Sequence, residues 1–104
     1  MAIVTLLTDA GESDHYVASI KAKIISLNPG IRIEDISHSI KPADIAHAAF
    51  VLRAVFRDFP KGTVHTAVVD PGVGSGRKAI AVQTPSGFFV GPDNGVLSFA
   101  LARQ

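Results

Sequence analysis

The chain has 104 residues, a formal net charge of +1 and no cysteine. This length fits one domain, the balanced charge argues against nucleic-acid binding through a basic patch, and the absence of cysteine excludes disulfides and thiolate chemistry. Apolar residues make up 47% of the chain and charged residues only 18%, against about 25% charged residues in an average domain. We therefore expect part of the apolar surface to contact another chain or a further domain.

The first half of the chain alternates between strand and helix patterns. A short apolar run at residues 3–7 predicts a strand covered on both faces. Ser13 and Asp14 are good N-cap residues for a helix over 14–27, whose apolar side chains recur at helical spacing, at Tyr16, Val17, Ile20, Ile24 and Leu27. Residues 31–36 alternate between apolar and polar and predict the second strand.

A long helix is predicted next, over 42–59, because Pro42 suits the first turn of a helix and an apolar stripe follows it, at Ile45, Ala49, Leu52, Phe56 and Phe59. The rest of the chain predicts three strands, at 63–69, 79–83 and 88–90, and a final helix from near Asn94 to the chain end. The last two strands form a hairpin through the turn Pro85-Ser86-Gly87.

This order of elements predicts an α/β fold with a mostly parallel sheet and helices on its faces. We expect residues 1–104 to form a single domain. No apolar run approaches the ~20 residues that a membrane span needs, and the first residues lack the features of a secretory signal. We therefore expect a cytoplasmic protein that contacts neither membrane nor nucleic acid.

The loop after the third predicted strand carries the densest chemical signal. Asp70 is followed by Pro71, by three glycines and by Arg77, at the end of a strand where open α/β sheets bind ligands. Arg77 falls five residues after Gly72, so the loop matches neither a P-loop nor a dinucleotide fingerprint. Two interpretations stay open from the residues alone: a ligand-binding loop in which Asp70 faces Arg77, and a glycine-rich hairpin with a weak surface ion pair.

Polar residues also follow the first two predicted strands. Asp9 comes after the first and His38 after the second, and in a parallel sheet these ends share one edge with Asp70. An ionised carboxylate such as Asp9 accepts hydrogen bonds from sugar hydroxyls, although a turn or capping role is equally typical of aspartate. His38 by itself is better explained as a structural histidine. The histidines show no zinc spacing, so we predict no metal site.

Five motifs in this order resemble one family, the SAM hydroxide adenosyltransferases, where SAM is S-adenosyl-L-methionine. They are also called adenosine-forming SAM hydrolases and are related to fluorinases and chlorinases. The motifs are Thr8-Asp9-Ala10-Gly11 with Asp14-x-Tyr16-Val17, Asp35-Ile36-Ser37-His38-Ser39-Ile40 with Pro42-x-Asp44-Ile45, Phe59-Pro60-x-Gly62-Thr63-Val64-His65, Val69-Asp70-Pro71-Gly72-Val73-Gly74, and Gly91-Pro92-Asp93-Asn94-Gly95.

The resemblance implies a trimeric enzyme that takes SAM as its substrate and needs no cofactor. Hydroxide would attack C5′ of the ribose and release adenosine and L-methionine. By motif, Asp70 and Arg77 match two members of the family's catalytic set, and Asp9 matches the acid that holds the ribose hydroxyls. The remaining substrate-binding matches are Asp14 and Tyr16, near the methionine moiety, and Asn94 in the last motif. A carboxylate at Asp70 would repel a halide, which favours the hydrolases over the halogenases.

The chain also departs from the family pattern. Ala43 stands where the family often has an aromatic residue near the substrate. The third catalytic member, a histidine of a later motif, is missing, and so is the C-terminal adenine-binding domain. We therefore predict a truncated N-terminal domain. The sequence leaves open a hydrolase or the N-terminal part of one, a non-catalytic SAM- or nucleoside-binding module, and an inactive fragment that self-associates.

Overall fold

A computed structural model of the chain describes residues 2–70 and 78–104. In these residues the strands are β1 (Ile3–Thr8), β2 (Arg32–Ser37), β3 (Thr63–Val68), β4 (Ala79–Thr84) and β5 (Gly87–Pro92). The α-helices are α1 (Tyr16–Leu27), α2 (Ile45–Val55) and α3 (Ser98–Leu101), and a 3₁₀ turn over Phe56–Asp58 follows α2 directly.

The strands form one sheet in the order β2-β1-β3-β5-β4. The β1/β2, β1/β3 and β3/β5 pairs are parallel, and the β4/β5 hairpin is antiparallel. This confirms the predicted α/β fold with a mostly parallel sheet. It also means that β1, β2, β3 and β5 all end at the same edge of the sheet, where ligands bind in this class of fold.

The hydrophobic core lies between one face of the sheet and the helices α2 and α3. The strand β3 alternates between buried and half-buried positions, as expected where successive side chains point to opposite faces. The buried core comprises Leu7, Ile40, Ala48, Leu52, Phe56, Ala67, Val69, Phe89, Val96, Leu97 and Ala100. The stripe predicted for the second helix is correct at Ala49, Leu52 and Phe56, all of which are buried.

The opposite face of the sheet is only partly covered. Helix α1 lies on this side and contributes no fully buried residue. An open groove of about 600 Å³ runs between the helix and the sheet, lined by apolar side chains that include Ile20, Ile24, Val64 and Val90. Part of the uncovered apolar surface expected from the composition therefore lies on the α1 side, while Phe50 on α2 and Phe99 on α3 are also exposed.

Several helix boundaries predicted from the sequence are wrong. Helix α2 ends at Val55, and the 3₁₀ turn over Phe56–Asp58 stands where its last turn was predicted. Helix α2 begins at Ile45 rather than Pro42, because Ala43 has a φ of 63° and the Asp44 side chain caps the helix by accepting from the His47 N–H. The last helix begins at Ser98 because Gly95, with a φ of 92°, cannot continue a right-handed helix.

The predicted cap of the first helix is also wrong. Helix α1 starts at Tyr16, its N-cap residue is His15, and no side chain bonds to the end of the helix there. Asp14 instead accepts hydrogen bonds from the backbone and the ring of His15 itself.

Among the described residues, no helix is both long and apolar enough for a membrane span.

One histidine lies inside the core, on β3. The ring of His65 is 5.1 Å from the ring of Phe89 and stacked on it, and its Nδ1 lies 2.9 Å from the hydroxyl of Thr5. Only 1% of the residue is exposed. Burial disfavours the charged ring and lowers the pKa of His65 to about 4.

We expect the stability of the protein to fall in acid because of His65. The unfolded chain binds a proton near the ordinary pKa of 6.5, whereas the folded chain binds it only near 4. The stability is therefore complete above the unfolded pKa and is lost as the pH falls towards 4. The free energy of unfolding should be about 2 kcal/mol lower at pH 5 than at pH 7.5, which urea titrations would measure.

A double variant, Thr5→Val with His65→Phe, is the control for this effect, because it replaces both bonded partners by apolar groups. It should lose most of the pH dependence, while His47→Asn, a change at an exposed histidine, should keep it. An unchanged pH dependence in the double variant would show that other groups cause the loss.

Candidate active site at the carboxyl edge of the sheet

The ends of three parallel strands lie side by side. Thr8 at the end of β1 is paired with Val68 on β3, and Leu7 is paired with Ser37 on β2. Asp9, His38 and Asp70 follow these positions in the chain by one or two residues. The structure therefore brings the carboxylates of the first and third strands to one sheet edge, as the order of elements predicted.

Asp9 bridges two loops at this edge. Its Oδ2 accepts a hydrogen bond of 2.9 Å from the backbone N–H of Ala43, the residue with the positive φ. Within residues 2–70 and 78–104, Oδ1 of Asp9 makes no hydrogen bond, and the residue is half-buried. One oxygen of the carboxylate is thus used to join the loops, and the ligand-binding role of Asp9 stays a prediction. Ala43 carries no side chain beyond Cβ, so this side of the site lacks the aromatic ring of the family pattern.

Asn94 is a brace for the strand that leads to Asp70. Its side-chain amide donates to the carbonyl of Val69 over 2.8 Å, and its oxygen accepts from the N–H of Val96 over 3.0 Å. The amide therefore ties the loop after β5 to the residue just before Asp70. Asp70 itself is half-buried. Arg77 lies outside the described residues, so its pairing with Asp70 stays a prediction.

Asp14 and Tyr16 lie at the start of α1 and are both exposed. The Asp14 carboxylate is 2.8 Å from the Nδ1 of His15, and Tyr16 stacks on the His15 ring at 4.6 Å. Asp14 also borders a polar cleft of about 270 Å³ that Glu12, Lys21 and His38 help to line. Both side chains make these contacts with the adjacent residue His15.

A chain of side-chain hydrogen bonds, which the sequence did not predict, runs behind this edge. Lys21 donates to one oxygen of Asp35, and Nε2 of His38 lies against the other, both at 2.7 Å. Nδ1 of His38 is 2.7 Å from the hydroxyl of Thr8. The structural interpretation of His38 is supported, since only 3% of the residue is exposed. The signal available in the sequence was Asp35-x-x-His38 at a strand end.

The charge at Asp35 is stabilised by its partners. Burial by itself would raise the pKa of this carboxyl, but the hydrogen bonds and positive charge of Lys21, together with His38, outweigh that effect and hold the pKa of Asp35 below its ordinary value. Asp35 is thus an ionised acceptor near neutral pH. The described residues hold no cluster of three or more acidic, histidine or cysteine side chains suited to a metal ion.

A sequence model of the SAM hydroxide adenosyltransferase N-terminal domain matches residues 4–104. The chain belongs to this family. A relative from Methanocaldococcus jannaschii, named (R)-S-adenosyl-L-methionine hydrolase, is 46% identical to this chain, over 97% of this chain and 40% of its own length. A fluorinase from an Actinoplanes species is 32% identical over 78% of this chain and 27% of its own.

The fold of the chain also matches solved structures. The crystal structure of an uncharacterized conserved protein from Thermotoga maritima has a TM-score of 0.90 and 45% sequence identity to it, over 96% of this chain and 39% of the other. The chain therefore spans about two fifths of the length of the hydrolase and of the Thermotoga maritima protein, and about a quarter of the length of the fluorinase. The predicted family and its relation to the fluorinases are confirmed.

Proposed function

We propose that this chain is the N-terminal part of an enzyme that hydrolyses SAM to adenosine and L-methionine. The observation that carries the proposal is that Asp9 and Asp70 follow neighbouring parallel strands at one sheet edge, in a chain 46% identical to a named SAM hydrolase. The lower identity of 32% to the fluorinase agrees with Asp70, whose carboxylate suits a water site better than a halide site.

The reaction needs a positioned nucleophile more than it needs leaving-group assistance. Water attacks C5′, the C5′–sulfur bond breaks, and its electron pair stays on the methionine sulfur. This sulfur is a good leaving group because it carries a positive charge as a sulfonium in SAM and leaves as a neutral thioether. Water is a weak nucleophile and has to be oriented and partly deprotonated. In the proposal, Asp70 accepts the proton of the attacking water and Arg77 holds Asp70 ionised and in place.

The other predicted residues would hold the substrate. Oδ1 of Asp9 would accept from the ribose hydroxyls, and Asp14 with Tyr16 would border the methionine moiety, where a carboxylate suits the amino group. Asn94 would act near the substrate through the remaining N–H of its amide, because its other groups hold Val69 and Val96. The proposal includes SAM as the substrate and no cofactor.

The assembly and location belong to the same proposal. We infer a homotrimer in the cytoplasm, in which the apolar groove on the α1 side is covered by protein rather than by water. The support is the amount of apolar side chain left uncovered there, including Phe88 with 39% of its surface exposed. Sedimentation analysis would measure the association state, and a monomer at all concentrations would contradict this part.

A non-catalytic nucleoside-binding module is the second candidate. It is favoured by one observation: the Asp9 carboxylate, the predicted ribose contact, is already held in place by the Ala43 N–H. Calorimetry with adenosine and with SAM would separate the two functions, since a module would bind without turnover.

The test of the proposed function is incubation of the purified chain with SAM, followed by chromatography of the products. Adenosine and methionine formed in equal amounts would support hydrolysis by this chain. If the chain alone gives no product, the same assay is made on a chimera in which it replaces the matching part of the M. jannaschii hydrolase. An inactive but folded chimera would contradict the proposal.

A further inference from the structure

We propose that His38 is a positioning residue for Asp9: it holds the loop after β1 on both sides of that carboxylate. The inference rests on the proposed function only in the role it gives to Asp9, the ribose contact. The contacts by which His38 determines where the Asp9 loop lies are within the protein and need no ligand.

Two links from His38 flank Asp9 in the chain. On one side, the ring nitrogen Nδ1 is bonded to the hydroxyl of Thr8, the residue before Asp9, at 2.7 Å. On the other side, the backbone carbonyl of His38 accepts from the N–H of Gly11, two residues after Asp9, at 2.8 Å. Gly11 has a φ of 74°, a conformation that glycine adopts without strain. Asp9 therefore lies within a short segment fastened at both ends to the same residue.

The proton positions follow from the partners. Asp35 is ionised and only accepts, so Nε2 of His38 carries a proton and donates to it. In the neutral ring Nδ1 is then an acceptor, and the Thr8 hydroxyl donates to it. The Thr8 oxygen in turn accepts from the N–H of Ala10 over 3.2 Å. Each group in this relay has one assigned role, which orients the hydroxyl and closes the turn around Asp9.

The relay is anchored in the body of the fold at its far end. Lys21 on helix α1 donates to Asp35, and the register of β1 against β2 shifts where Leu6 is paired with Asp35 and Leu7 with Ser37. Residues three apart on a regular strand face opposite sides of the sheet. The extra residue in β2 and the turn after it bring Asp35 and His38 into contact, in the way that bulges re-aim side chains beside functional sites.

The outcome for Asp9 is a carboxylate held from two directions. Its loop is fixed by His38, and its Oδ2 is fixed by the Ala43 N–H at 2.9 Å. If His38 released Thr8, the bond from Ala43 to Asp9 would have to follow a moving loop. The exchange of the Ala43 amide therefore reports on the position of Asp9 without any ligand.

Two substitutions of His38 separate this role from simple packing. In His38→Asn the side-chain oxygen takes about the place of Nδ1 and can accept from Thr8, while the contact with Asp35 is lost. In His38→Gln the amide nitrogen takes about the place of Nε2 and keeps Asp35 but loses Thr8. A second pair, Thr8→Val and Thr8→Ser, removes or keeps the hydroxyl without touching His38.

Amide hydrogen exchange measured by NMR on the chain is the deciding experiment. We expect the Ala10 and Ala43 amides to exchange about tenfold faster in His38→Gln and Thr8→Val, to stay near wild type in His38→Asn and Thr8→Ser, and the core amide of Leu52 to be unchanged in all four. Equal exchange in His38→Asn and His38→Gln, or unchanged exchange in Thr8→Val, would overturn the proposal. If a His38 variant does not fold, the Thr8 pair decides.

Adenosine affinity, measured on the same variants, separates this inference from the proposed function. Weaker binding in Thr8→Val and His38→Gln alone would support the positioning role in ligand binding. A folded chimera that neither hydrolyses SAM nor binds adenosine would reject the proposed function, while the exchange data would still decide whether His38 places Asp9.

Discussion

Asp70→Asn should lower the rate of adenosine release from SAM by about 100- to 10,000-fold, the range that a general base contributes. The amide keeps the size of the side chain but accepts a proton far less readily than a carboxylate. Turnover would be measured by chromatography of adenosine, in the chain or in the active chimera, and SAM affinity by calorimetry. The affinity should change much less than the rate.

Asp58→Asn is the matched control for Asp70→Asn. Asp58 is exposed and lies before the start of β3, at the opposite edge of the sheet from Asp70. The same chemical change there should leave turnover within about twofold of wild type. Near-normal turnover in Asp70→Asn, with its fold intact by circular dichroism, would remove Asp70 from the catalytic role and show that another group activates the attacking water.

Asp9→Asn should weaken adenosine binding by about 10- to 100-fold, because hydrogen bonds to a charged group contribute about 1.5–3 kcal/mol. The asparagine oxygen can still accept from the Ala43 N–H, so the change removes mainly the acceptor that we propose for the ribose hydroxyls. Calorimetry with adenosine would measure the loss.

A second nucleoside identifies which contact is lost in Asp9→Asn. The wild type should bind 2′-deoxyadenosine more weakly than adenosine, since one ribose hydroxyl is gone, and the variant should distinguish the two poorly. A variant that binds adenosine as tightly as wild type, or that keeps the full preference for ribose, would contradict the assigned role of Asp9.

Local patterns were sufficient for the strands and for the sheet edge. The apolar runs of β1 and β3, and the alternation along β2, are properties of neighbouring residues, and parallel strands joined by helices have to end on one side. The placement of Asp9 and Asp70 at a shared edge follows from that rule. The helix ends were predicted less well. The positive φ values of Ala43 and Gly95 interrupt the helix at single residues, at positions where the helix propensity of the surrounding sequence favours its continuation.

The network behind the site was not predictable from local patterns. Lys21 and Asp35 are 14 residues apart and Thr8 and His38 are 30 apart, so their contacts depend on how β1, β2 and α1 pack. A shift of one residue in the register of a strand turns its side chains to the other face. The irregular pairing beside Leu6 and Leu7 is such a shift, and the amino-acid types of Leu6 and Leu7 do not predict it.

The amino-acid sequence by itself determined the fold class, the family and the edge of the sheet at which the candidate site lies, because periodicity, strand order and motifs are all local or sequential. Only the tertiary structure decided that His38 is a buried link between Asp35 and Thr8, that Asn94 braces Val69, and that Asp9 bonds to Ala43. These contacts join residues from different elements, and their geometry is set by the register and packing of the whole sheet.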